Sequence, residues 1–147
     1  MSFFLTQQEA DTLFNLNKHY RDGKQLNFPT YGGILQFTLF SDDNREEFIL
    51  SIRRSEIKLE RNTFQTRARK TIILARLDIE GPPHRNPDDE EIPCPHLHIY
   101  REGYDDKWAQ SLPNNFTNPD DTLKTLDEFM DFCFVITKPL ILKELFT

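Results

Sequence analysis

The chain has 147 residues, which fits one domain that buries its own core without disulfide or metal support. It is 37% hydrophobic and 29% charged with net charge −6, and its apolar residues recur in periodic runs, which excludes a disordered chain. No apolar run approaches the roughly 20 residues that span a bilayer, and the N-terminus lacks a signal-peptide pattern. We expect one cytoplasmic domain over residues 1–147, with Cys94 and Cys133 reduced.

The first predicted element is a helix that begins after Thr6. Thr6 and Glu9 have the spacing of a capping box, in which each side chain accepts a hydrogen bond from the backbone N–H of the other residue. Apolar residues then recur at helical spacing as far as Tyr20. The pattern predicts a helix that ends at 21–24.

The middle of the chain predicts β-strands. Alternating apolar and polar residues predict strands at 35–39 and 48–52 with a turn at 42–44 between them, and a short strand at 57–59. Residues 64–79 are a long β-rich run, and its segment 71–75 is apolar on both faces, which is typical of a central strand. After a loop, residues 96–101 predict a further strand.

The C-terminal part predicts a second helix. Asn118 supplies an N-cap, Pro119 the first helical position, and the apolar residues between 123 and 134 form one wide face. Residues 140–146 predict a short terminal element. The order of elements predicts an α+β fold, namely an antiparallel meander of about five strands with the N-terminal and C-terminal helices packed on one face.

The loop 81–95 has an unusual composition. It holds five of the nine prolines, at positions 82, 83, 87, 93 and 95, and proline reduces the entropy that a loop loses on ordering. Three of the four histidines, His84, His96 and His98, lie in or just after it. A loop of this stiffness is typical of one that holds side chains in place, so we predict a functional site between Gly81 and Tyr104.

Side chains alternate between the two faces of a strand, which places the histidines together. The residues predicted on the polar face of the strand 96–101 and just beyond it are His96, His98, Tyr100 and Glu102. By the same alternation, the preceding strand turns Arg76 and Asp78 outward. If the two strands pair across the proline loop, Arg76 and Asp78 lie beside the imidazoles.

Two chemistries suit such a cluster. Paired imidazoles near a carboxylate and a guanidinium support general acid–base cleavage of RNA without a cofactor. The catalytic residues on this hypothesis are His84, His96, His98, Tyr100 and Glu102. Alternatively, His96, His98 and Asp78 ligate a divalent transition metal. A third interpretation is that a half-exposed strand carries these polar residues for solvation alone.

A basic segment precedes the loop. Residues 53–76 include eight basic and two acidic side chains, so an acidic chain still carries a candidate phosphate-binding face. Arg67 and Arg69 are predicted to share a strand face. The predicted substrate-binding residues are Arg67, Arg69, Arg76, Arg85 and Tyr104, the last by stacking on bases. The alternative is a solvated surface neutralised by the acidic run 88–91.

The segments GPPHRNPD at 81–88 and IPCPHLHIYREGY at 92–104 resemble those of a family of small uncharacterised bacterial proteins, a domain of unknown function, nearly end to end. That resemblance implies no activity. The chain is also loosely similar to small toxins of toxin–antitoxin pairs, which implies an RNA-directed or defence-related role. Three hypotheses follow: a metal-independent ribonuclease-like toxin or phage-defence component; a non-enzymatic module that binds a protein partner, such as an antitoxin or anti-defence inhibitor; and a metal-dependent enzyme.

Overall fold

The computed structural model describes residues 4–57 and 61–144. Its helices are α1 (Gln7–Asn15) and α2 (Thr122–Phe132). The strands of these residues, in chain order, are β1 (Lys18–His19), β2 (Leu26–Asn27), β3 (Ile34–Ser41), β4 (Glu47–Arg54), β5 (Asn62–Ala68), β6 (Ile72–Asp78), β7 (His84–Arg85), β8 (Glu91–Ile92), β9 (His96–Ile99), β10 (Ala109–Ser111), β11 (Val135–Thr137) and β12 (Ile141–Leu142).

Eight strands form one sheet in the order β10-β9-β6-β5-β4-β3-β1-β11. Its neighbours are antiparallel except β1 and β11, which are parallel. The pairs β12–β2 and β7–β8 are separate. The α+β class is confirmed, but the meander of about five strands is wrong. Two- and three-residue strands at both edges extend the sheet, and so short a segment has no readable period.

One face of the sheet is apolar, and its side chains belong to the buried core of the protein. Phe48, Leu50 and Phe64 are completely buried in a single cluster that also contains residues of α1 and α2. Phe129 of α2 lies against Phe64, with ring centroids 6.1 Å apart. Full burial of one such side chain stabilises the fold by about 1.5–3 kcal/mol. Residues of both helices therefore belong to the same core as this face of the sheet.

The opposite face, called here the outer face, is largely polar. Two rows of directly paired residues cross five strands from β9 to β3 on this face. One row is His98, Arg76, Gln65, Ser51 and Gln36. The other row is His96, Asp78, Thr63, Arg53 and Ile34. The histidines lie at the β9 end of both rows.

The helix boundaries differ from the predicted ones. The capping box of Thr6 and Glu9 is confirmed, with N···O distances of 3.1 Å in both directions. However, α1 ends at Asn15, because the chain from Lys18 joins the sheet as β1. The N-cap of α2 is Asp121 rather than Asn118, and the Asn118 carbonyl accepts hydrogen bonds from Asp121 N and Thr125 Oγ1.

The long β-rich run 64–79 is two strands. Arg69 and Lys70, at φ of 50° and 70°, form the turn that reverses the chain between β5 and β6. The segment 71–75 falls mostly on β6, which lies between β5 and β9 inside the sheet, as predicted. The strand predicted at 57–59 falls mostly outside the described residues, and Ile57 is an exposed residue in a bend.

Both cysteines are free thiols, as expected. Neither of the two helices in the described part of the chain has the length and apolar character needed to cross a membrane.

Candidate functional site

The strands β6 and β9 pair in the register that the alternation of polar residues predicted. Arg76 lies opposite His98, and Asp78 lies opposite His96. Asp78 Oδ2 is 3.1 Å from His96 Nε2 and 3.2 Å from His98 Nε2. One nitrogen of each imidazole and one Asp78 oxygen thus lie within 4.8 Å of one another.

His84 completes the group by lying over the other two imidazoles. Its ring centroid is 4.5 Å from that of His98 and 6.0 Å from that of His96. His84 lies on the hairpin of β7 and β8, which folds over the β9 end of the outer face. The side chains of His96 and His98 are only 3% and 0% exposed. The cluster is therefore enclosed, and solvation alone does not account for its histidines.

Asn86 holds this hairpin in place. Its side-chain amide donates to the Ala109 carbonyl at 2.9 Å and accepts from the Ala109 N–H at 2.8 Å. The amide thereby makes the two hydrogen bonds that a neighbouring strand would make at the edge of β10, and it satisfies both backbone groups of Ala109. Sequence reasoning missed Asn86, because an Asn before a proline is an ordinary turn signal and does not indicate a partner 23 residues away.

Each imidazole of the cluster is oriented by a main-chain carbonyl. His96 Nδ1 is 3.1 Å from the Ile92 oxygen, His98 Nδ1 is 2.8 Å from the Asp106 oxygen, and His84 Nε2 is 2.6 Å from the Lys107 oxygen. A carbonyl only accepts, so these nitrogens carry the ring N–H. In the neutral rings of His96 and His98, the lone pair of Nε2 then faces Asp78. Histidine ligands of metals are oriented in this way.

Arg76 borders the cluster on the outer face. Its Nη1 pairs with Asp106 Oδ2 at 2.6 Å, its Nε lies 3.4 Å from Asp78 Oδ1, and its Nη2 lies 3.0 Å from His98 Nε2. Burial favours a higher pKa of Asp78. Hydrogen bonds that His96 and His98 donate when Nε2 carries a proton, together with the charge of Arg76, outweigh burial and hold this pKa well below its usual range. Asp78 is therefore ionised at neutral pH.

A pocket of about 220 Å³ opens beside the cluster, and Asp78, His84, His96 and Arg61 line it. Gly81 has a φ of +147°, and a Cβ there would meet Arg61 Nε at 3.3 Å, so this glycine lets the guanidinium lie close to the backbone.

Cys94 also lines the pocket, 3.5 Å from His96 Nδ1. Burial raises the pKa of the Cys94 thiol to about 11, so the thiol is protonated at neutral pH and is a poor nucleophile.

Tyr100 and Glu102 lie outside the cluster, and the prediction that they share the histidine face is wrong. The strand β9 ends at Ile99, and Tyr100 enters the core, where its hydroxyl donates to the Leu5 carbonyl at 2.6 Å. Glu102 Oε1 accepts from the Gln7 N–H at 2.6 Å. Both residues anchor the start of α1, and neither orients an imidazole.

Arg85 and Tyr104 contact other parts of the surface. Arg85 pairs with Glu91 at 2.6 Å and donates to the Asp89 carbonyl, so the acidic run neutralises this arginine. Tyr104 is partly exposed and packs edge-on against Trp108, with centroids 5.8 Å apart.

Arg67 and Arg69 do not share a strand face. Arg67 is the one arginine of β5 and donates to Gln36 and Ser51 on the outer face. Arg69 lies in the turn after β5, where its positive φ directs it to Glu46 at 3.5 Å. The turn interrupts the alternation on which the prediction depended.

A family model described as "Family of unknown function (DUF6978)" matches residues 5–135, and the chain belongs to this family. Comparisons with curated proteins and with solved structures gave no significant match. The expected membership of an uncharacterised family is thus confirmed, whereas no relative supports the similarity to toxins.

Proposed function

We propose that Asp78, His96 and His98 bind a divalent transition metal ion and that the adjoining pocket hydrolyses phosphodiester bonds. One observation carries the proposal: Nε2 of both histidines faces a single Asp78 oxygen at 3.1 and 3.2 Å, while both Nδ1 atoms are engaged by carbonyls. Three acceptor atoms so close repel one another unless a cation or proton lies among them. Ligands about 2.0 Å from a tetrahedral zinc ion lie about 3.3 Å apart.

Two imidazoles and one carboxylate leave coordination positions open, as catalytic metal sites require. A metal ion held there polarises a phosphoryl oxygen and lowers the pKa of a water molecule. Arg61, at the pocket wall, suits a phosphate oxygen, because guanidinium groups bind phosphate through paired N–H donors. In the net reaction, the water oxygen bonds to phosphorus, one P–O ester bond breaks, and the leaving oxygen takes the proton.

A second candidate is metal-independent cleavage of RNA by acid–base catalysis. The contact of Arg76 Nη2 with His98 Nε2 at 3.0 Å favours it, because this guanidinium donates to the lone pair that a metal would use. A protonated His96 would then donate both N–H groups, to Asp78 and to the Ile92 carbonyl, and Arg76 would stabilise charge on the phosphoryl group.

Metal content tests the first proposal. The wild type, Asp78→Asn, His98→Gln and the control His19→Gln are incubated with Zn²⁺ or Mn²⁺, desalted and measured by elemental analysis. His19 is a suitable control because it pairs with Asp42 and Thr137, outside the cluster. We expect about one equivalent in the wild type and the control, and none in the other two variants. Equal metal content in all four proteins would overturn the metal site.

Turnover separates the two candidates. The same proteins are assayed on bis(p-nitrophenyl) phosphate and on single-stranded RNA, after chelation and again after metal is restored. Activity that requires the metal supports the first candidate. RNA cleavage that survives chelation but is abolished in His98→Gln supports the second. The absence of turnover by the metal-loaded wild type on both substrates contradicts phosphodiester hydrolysis.

A further inference from the structure

The pocket beside the histidine cluster continues onto the middle of the outer face. A second pocket, of about 200 Å³, lies on strands β3, β4 and β5, and Thr63 lines both pockets. Thr63 is directly paired with Asp78 on one side and with Arg53 on the other. A polar track therefore runs from the cluster to the centre of the sheet.

The part of this track that lies in the second pocket is positively charged. The described residues that line the second pocket include Arg53 and Arg67 but no acidic side chain, although the whole chain has a net charge of −6. Arg67 is fixed by hydrogen bonds to Gln36 at 3.0 Å and Ser51 at 3.3 Å. A cation fixed in advance loses little entropy when it binds an anion.

The spacing suits an elongated ligand. Arg53 lies in the same row as His96, three strands away, which corresponds to about 14 Å at the usual distance between strands. The remaining polar groups of the second pocket, on Gln36, Ser51, Thr63 and Gln65, are neutral donors and acceptors. A ligand with anionic groups at regular intervals fits this spacing, because it contacts both arginines and the pocket beside the histidine cluster at the same time.

We infer that the outer face binds a single polynucleotide strand, with phosphates at Arg53 and Arg67, and directs one phosphodiester of that strand to the histidine cluster. The inference rests on the proposed function, whose substrate class it specifies. A single strand suits a pocket of only about 220 Å³, lined by His84 of the β7–β8 hairpin, better than the bulkier duplex does. Sheet faces and grooves with fixed positive charge commonly bind single strands.

Fluorescence anisotropy with labelled 12-nucleotide oligouridylate and oligothymidylate tests the inference in the full-length, metal-treated protein. The variants are Arg53→Glu, Arg67→Glu and the control Arg45→Glu, whose side chain is 87% exposed in the turn between β3 and β4. We expect each track variant to weaken binding at least tenfold and the control to stay within twofold. The slope of log K against log salt should fall by about 0.7 for each phosphate that the variant no longer neutralises.

Arg67 is hydrogen-bonded within the sheet, so Arg67→Glu can destabilise the fold. Arg53 is exposed, so Arg53→Glu tests the inference without this complication. Unchanged oligonucleotide affinity in Arg53→Glu, or tighter binding of a 12-base-pair duplex than of either single strand, would overturn the inference. Tighter binding of oligouridylate than of oligothymidylate supports the inference and indicates selectivity for RNA. Equal binding of both also supports the inference and indicates general binding of single strands.

The two proposals fail in distinguishable ways. Arg53→Glu should leave metal content and the hydrolysis of bis(p-nitrophenyl) phosphate unchanged while it raises KM for the oligonucleotide. If the protein binds metal and hydrolyses the small substrate, but its affinity for oligonucleotides does not depend on Arg53, the inferred strand-binding track is wrong and the proposed function stands. Arg53-dependent oligonucleotide binding by a protein that binds no metal would remove the metal centre and leave the track.

Discussion

Lys18 is a buried cation that joins the C-terminal ends of both helices. Its Nζ donates to the carbonyls of Phe14 at 2.7 Å, Leu16 at 2.9 Å and Cys133 at 2.8 Å. The ammonium group also lies 4.7 Å from the centre of the Phe48 ring. A positive charge at a helix C-terminus satisfies carbonyls that lack an N–H partner and interacts favourably with the helix dipole.

The stability of the protein should depend on pH through this residue. Burial lowers the pKa of Lys18 from 10.5 to about 8. Between these values the unfolded chain binds more protons than the folded chain, so the free energy of unfolding rises with pH, by about 3 kcal/mol over the window. Lys18→Met lacks this rise. We expect urea unfolding at pH 7, 8, 9 and 10 to show that the free energy of unfolding of the wild type rises relative to that of the variant as the pH increases.

Cys133 is a second titrating group close to Lys18, and comparison with the variant removes most of its effect. Burial raises the pKa of the Cys133 thiol to about 12, which lowers the free energy of unfolding above pH 9. This contribution is present in both proteins and largely cancels in the difference. A difference that stays constant from pH 7 to 10 would show that Lys18 is not the source.

The β7–β8 hairpin is the element that encloses the histidine cluster, and we expect it to depend on Asn86. Asn86→Ala removes both hydrogen bonds to Ala109, at a cost of about 1–3 kcal/mol for the buried backbone groups left without a partner. The expected result is faster hydrogen exchange in residues 82–95, by about tenfold or more. The exposed Asn115→Ala is the control. Unchanged exchange in this segment would mean that other contacts hold the hairpin.

Over the whole molecule, metal binding and folding should be linked. Asp78 and His96 are 18 residues apart in the chain and meet only because β6 pairs with β9. An ion that binds the folded state alone stabilises it by about 2.7 kcal/mol at 100 times its Kd. We expect Zn²⁺ to raise the free energy of unfolding of the wild type and His19→Gln, but not of Asp78→Asn, in urea titrations. An equal effect of Zn²⁺ on all three proteins would contradict this site.

The sequence by itself determined the α+β class, the cap of α1, the turn at 42–44 and the meeting of Asp78 with His96 and His98. The reason is that alternation along a strand is a local property. Two neighbouring strands joined by one loop pair in few registers, and the apolar residues select the register that buries them. The polar residues of both strands then share the remaining face.

Only the tertiary structure decided which residues surround the cluster. The hairpin that covers the imidazoles is held by an amide contact with β10, and Tyr100 turns into the core to bind Leu5, 95 residues away. The positive φ of Arg69 separates it from Arg67. These positions depend on contacts between segments far apart in the chain and on a single turn. Neither the long-range contacts nor the turn produces a repeating pattern in the sequence, because packing selects these positions only after the strands have paired.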